Sequence, residues 1–169
     1  AFTEWLRSNE KAIFDHFDVR LIIDPKAAAY AAEHAEKKDI EKMEEVCTSF
    51  DEKVKKGNTA ALIKCDEQFH TVLAASTKNK TLSFCMRTMA NSLPEGWISS
   101  LHVPGRTEKT VTEHRNILDA IRRGNPEEAE QAMRNHLNNA IADIRASMEK
   151  SSDKKSAMEG NSDTNNHAG

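Results

Sequence analysis

The sequence predicts an all-α protein, an antiparallel bundle of about six or seven helices. Apolar residues recur every three or four positions along most of the chain, and no stretch alternates with the two-residue period of a strand. Only six Gly and four Pro punctuate 169 residues, so the elements are long and the turns few. That length suits one domain with a sizeable core.

Residues 2–9 form a short amphipathic lead-in through Phe2, Trp5 and Leu6. The pattern resumes over 12–23 with Ile13, Phe14, Phe17, Leu21 and Ile22. Asp24 and Pro25 read as the N-cap and first position of a new helix over 25–37. Its Ala27, Ala28, Ala31, Ala32 and Ala35 make a smooth face for close helix approach. Asp39 is placed to cap a third helix to residue 56, with Ile40, Met43, Val46, Cys47, Phe50 and Val54 inward and Gly57-Asn58 as its stop. Thr59 opens the next helix, whose inward stripe is Leu62, Ile63, Asp66, Phe69, His70 and Leu73. After a break at 78–80, Leu82, Cys85, Met86, Met89 and Leu93 continue the periodicity. Pro94-Glu95-Gly96 is a kink or break, and Trp97, Ile98 and Leu101 extend the apolar side until Pro104-Gly105. Residues 111–121 give a helix with His114, Ile117, Leu118 and Ile121 on one stripe. Gly124-Asn125-Pro126 stops it and starts the last helix, which runs to about residue 148 with Ala129, Met133, His136, Leu137, Ala140 and Ile144 inward. From residue 150 the chain is Ser, Asp, Lys, Asn and Gly, a composition that buries no core and predicts a disordered tail.

The bulk chemistry excludes several classes. A net charge of -3 does not grip nucleic acid by overall electrostatics. No apolar run approaches a membrane span and no signal-peptide pattern opens the chain, which predicts a cytoplasmic protein. Cys47, Cys65 and Cys85 are an odd set without a CxxC pair, and read as reduced thiols.

Asp66 and His70 lie four residues apart, hence on one helix face, and His114 and His136 occupy the apolar faces of two later helices. A carboxylate among apolar neighbours is costly unless something positive meets it. One divalent ion held by Asp66, His70, His114 and His136 explains all four, with Zn²⁺ favoured and Ni²⁺, Co²⁺, Fe²⁺ or Mn²⁺ admitted. The competing reading is a structural bundle in which the histidines are hydrogen-bonded core residues. His16, His34, His102 and His167 serve as controls and read as surface positions. Glu67-x-x-His70 matches half of a di-iron motif, but no second copy exists, and the zinc-protease His-Glu-x-x-His is absent. A mononuclear metal hydrolase is the alternative function. Its general base would have to be Glu67 or Glu113, both expected to point away from the ion. Cys65 reads as a small buried hydrophobe.

These landmarks, Val19-Arg20, Asp24, the alanine helix, Asp66-x-x-Phe69-His70, Ala75-Ser76-Thr77-Lys78-Asn79, Glu113-His114 and Met133-x-x-His136-Leu137, resemble the ligand-binding FCD domain of FadR-like GntR-family transcription regulators. The resemblance covers residues 14–147. It implies a helical, homodimerising sensor domain over 14–149, preceded by a lead-in over 1–13 and followed by the tail over 150–169. It also implies a divalent metal and a small carboxylate effector beside it, and no catalysis. Arg20 and, on the following helix, Arg87 are the candidate effector-binding residues; Asp24 stands where the family carries Glu, and Asn79 is expected to cap a helix. The family's winged helix-turn-helix has no counterpart before Phe14, so DNA is expected to be engaged only through a segment outside this chain.

Overall fold

The computed structural model describes residues 2–57, 59–92 and 100–160. Seven helices and no strand stand among them: α1 (Phe2–Ser8), α2 (Glu10–His34), α3 (Lys37–Lys56), α4 (Thr59–Ser76), α5 (Lys80–Ser92), α6 (Arg106–Arg122) and α7 (Pro126–Gly160). The all-α expectation holds. None of these helices is long and apolar enough to cross a membrane.

Polar links between neighbours fix the relative directions. Arg7 reaches the Met148 carbonyl at 3.4 Å, Arg134 the Leu21 carbonyl at 3.4 Å, and Lys26 pairs with Glu130 at 2.8 Å. One partner number rises as the other falls, so α7 runs antiparallel to α1 and α2. Arg122 and Arg115 both pair with Glu44, and Arg115 also with Asp51, so α3 and α6 oppose one another. Lys109–Asp143 at 2.7 Å and Glu113–Asn139 at 2.8 Å set α6 against α7 in the same way. Between them lies one main core, with Phe17, Met43, Phe69, Leu73, Ile117, Met133 and Leu137 almost wholly removed from water.

Several expected boundaries move. Asp24-Pro25 does not start a helix, because α2 runs straight through it. Proline has no N–H for the Leu21 carbonyl one turn back, a defect that normally breaks a helix. Here the Arg134 guanidinium donates to that carbonyl instead. Asp24 is occupied elsewhere, accepting from Arg20 Nε at 2.8 Å with both side chains buried. Buried without exposure, Ala27, Ala28 and Ala31 lie in the main core on α2, which packs most extensively against α7.

Asp39 serves α3 from the third helical position rather than as its cap, accepting from the Glu36 N–H at 2.8 Å and pairing with Lys78 at 2.6 Å. Gly57 ends α3 at φ 66, in the left-handed region. Asn79 and Asn125 cap α5 and α7 as expected, accepting from the N–H groups of Leu82 at 3.0 Å and Glu128 at 3.2 Å. α6 begins at Arg106, five positions before the expected start. The expected domain start at residue 14 falls inside α2, and Leu6 and Ile13 already belong to the core. The backbone of α7 continues to Gly160, where a disordered tail was expected. The sequence places no proline or glycine there before Gly160, and propagating an existing helix avoids the cost of nucleation. The tail beyond residue 160 and the expected break at Pro94-Glu95-Gly96, with Trp97 and Ile98, lie outside the described residues.

Candidate metal centre and adjoining cavity

Asp66 and His70 sit one turn apart on the buried face of α4, His114 in the middle of α6 and His136 on α7. All four are buried, and one nitrogen or oxygen from each lies within 4.8 Å of the others. The three imidazole centroids are 5.0 to 5.5 Å apart. Phe69 stacks flat on His114 at 4.0 Å and Phe50 meets its edge at 5.6 Å, so aromatic walls hold this ring.

His114 Nε2 stands 3.3 Å from Asp66 Oδ1, yet it is out of line for a hydrogen bond and is a buried nitrogen without one. Burial raises the Asp66 carboxyl, but contact with His114 and its interactions with His114, His136 and Arg20 outweigh that and hold it below the usual carboxylate range. Burial, with Arg20 and the other two histidines, drives His70 well below the ordinary imidazole value. The site thus combines one carboxylate with three imidazoles, which is the donor set a borderline divalent ion takes. Metal bonds of about 2.1 Å would set ligand atoms about 3.4 Å apart in a tetrahedron and about 4.2 Å apart if opposite, so the cluster closes on an ion with small shifts. These residues fit a metal.

Behind His136 lies a second layer that its own helix stripe does not announce. Nδ1 of His136 lies 2.7 Å from Glu113 Oε2. Arg106, 1% exposed, grips the same carboxylate with both terminal nitrogens, at 2.9 Å to Oε1 and 2.5 Å to Oε2. Glu113 is not among the four cluster residues, but it is engaged with one of them. Desolvation opposes its charge, and His136 and Arg106 overcome that to bring it down to about 2. Burial takes His136 to about 4 against the pull of Glu113.

On the other side a cavity of about 180 Å³ opens beside His70, lined by Arg20 and Asp24 of α2, Glu67, Thr71 and Ala74 of α4, and Met86, Arg87, Met89 and Ala90 of α5. Both candidate effector arginines therefore reach one cavity. Arg20 is buried and anchored by Asp24, and the substitution of Asp for Glu leaves that pairing intact. Arg87 is exposed at the rim. Glu67, expected to turn away, lines the cavity as well, because it precedes His70 by three residues and so shares its side of α4.

Among the control histidines, His34 and His102 are exposed, and His167 lies outside the described residues. His16 corrects the expectation. It is 6% exposed, inside the long α2 rather than at an element end, and its Nε2 has no hydrogen-bond partner. Burial and the nearby Arg20 charge lower it to about 4. Cys65 is buried as expected, with Lys53 Nζ 2.9 Å from its sulfur.

A model of the FCD domain matches residues 15–139. The HTH-type transcriptional repressor NanR of Escherichia coli and that of Shigella flexneri are each 31% identical over 136 residues, covering 75% of this chain and 49% of theirs. NanR of Cronobacter sakazakii is 27% identical over 149 residues, 83% of this chain and 54% of its own. The chain thus spans about half the length of the curated relatives it matches. A solved structure of Streptococcus agalactiae GntR superposes with a TM-score of 0.68 at 22% identity, over 82% of this chain and 60% of that one, a likeness of fold.

Proposed function

The chain belongs to the FCD-domain family of GntR-type regulators, and from that premise we propose that it is a metal-dependent sensor of a small carboxylic acid that acts as a homodimer. The observation that carries this reading is the convergence of Asp66, His70, His114 and His136 on one point that adjoins a cavity holding Arg20 and Arg87. When bound, a divalent ion, with Zn²⁺ favoured, supplies positive charge and open positions for an oxygen anion.

Asp66 offsets one of the two charges, and the pairs Arg20–Asp24 and Arg106–Glu113 are each neutral. One positive charge then remains beside the cavity, which a carboxylate neutralises. Arg20, held by Asp24, presents its charge from the α2 wall without paying again for orientation. Arg87 at the rim draws the anion inward. Because α2, α4 and α5 all line the cavity, an acid bound there ties three helices together and favours one packing of the bundle over another. In a dimer that bias would set the spacing of any DNA-reading segments joined to it.

The FCD family and its repressor relatives point to a regulator rather than to the hydrolase alternative. Elemental analysis after purification without chelators tests the metal: about one divalent transition ion per chain is expected. His114→Ala, which removes a ligand without touching the cavity wall, should lower that content at least tenfold. Equal metal content in the variant would sink the four-ligand reading.

A further inference from the structure

We propose that Arg106 and Glu113 are a positioning pair that fixes the imidazole of His136 for metal binding, an inference that rests on the reading of the four-residue cluster as a metal site. A neutral imidazole carries one N–H, and only the other nitrogen can ligate. Glu113 Oε2, 2.7 Å from Nδ1, commits the proton to that nitrogen and leaves the Nε2 lone pair for the cluster.

The carboxylate itself has no freedom to turn. Oε1 accepts from Arg106 Nη1 at 2.9 Å and from Asn139 Nδ2 at 2.8 Å, while Oε2 takes Arg106 Nη2 at 2.5 Å and His136 Nδ1. Arg106 also donates through Nη2 to the His136 backbone carbonyl at 3.3 Å. The same guanidinium therefore fixes both the group that orients the ring and the turn of α7 that carries it. The bidentate fork matters here, because a lysine would offer one point charge to two carboxylate oxygens and a carbonyl. Full burial of an arginine is costly unless its partners are in place, which ties the start of α6 to His136.

Two variants test the pair. Glu113→Gln keeps the shape, but its amide nitrogen must face either Arg106 or Nδ1, and Arg106→Lys keeps the charge without the fork. Zn²⁺ affinity is measured by competition with a chromophoric chelator, and the visible absorption bands of the Co²⁺-loaded protein report the ligand field. Each variant is expected to lose affinity about 10- to 100-fold and to shift the Co²⁺ bands, while the chelated proteins keep the wild-type helical circular dichroism. Wild-type affinity and an unshifted spectrum in either folded variant overturn the inference while leaving the metal site standing. If the wild type itself takes up no Zn²⁺ or Co²⁺, the metal reading falls and the pair with it. Should Glu113→Gln fail to fold, Arg106→Lys decides the matter alone.

Discussion

At the residue scale the site divides into groups that helical spacing brings together and groups that only packing does. Asp66 and His70 were legible because four residues make one helical turn, and His114 and His136 because each interrupts an apolar stripe. Arg106 was not legible. It is the first residue of a helix expected to begin later, and its partners Glu113 and His136 meet it through the α6–α7 register, which no local pattern encodes. The burial of His16 escapes local rules for a related reason. A helix ending before Asp24 would place it near an end, whereas the continuous α2 buries it. Its titration makes a prediction with a definite sign. The folded group sits near 4 and the unfolded one near 6.5, so the unfolded chain binds the proton first as pH falls. The neutral ring's contribution is intact above pH 6.5 and is lost progressively toward pH 4, on the order of 1–3 kcal/mol. With metal chelated throughout, His16→Leu should flatten the decline of Tm across that window relative to wild type. Parallel declines in the two proteins would show that His16 does not contribute.

The element scale turns on α2. Its alanines make a surface for close helix approach, and Ala27, Ala28 and Ala31 are without exposure in the core. What local rules missed is that a proline can stand inside such a helix. The N-cap rule weighs Asp24 and Pro25 alone, while the outcome is set by Arg134 of α7, more than a hundred residues away. The same helix carries Arg20 and Asp24 to the cavity, so its continuity is what places Arg20 beside His70. Ala28→Leu should therefore be felt both in stability and at the site. Overpacking of this face is expected to cost about 1–3 kcal/mol in chemical denaturation, where an exposed alanine changed to leucine costs almost nothing. An unchanged denaturation midpoint would mean that the close approach of α2 and α7 is not what these alanines provide.

For the whole molecule, ion pairs set α6 against α7 and α3, and α4 packs on α3, in the register that gathers Asp66, His70, His114 and His136 from three helices. Anything bound only by the assembled set stabilises the folded chain by mass action, by about 2.7 kcal/mol at a hundred times its dissociation constant. A carboxylate completing the metal's positions and the Arg20 charge should then stabilise the domain only when metal is already there. Thermal denaturation of the chelated and the Zn²⁺-loaded protein, each with and without a panel of small carboxylic acids, and repeated on Arg20→Ala, measures this directly. The expected result is that Zn²⁺ raises Tm in both proteins, and that an acid raises it further only in the Zn²⁺-loaded wild type. A Tm indifferent to Zn²⁺, or an acid shift of equal size in chelated and loaded protein, would contradict a metal-dependent sensor.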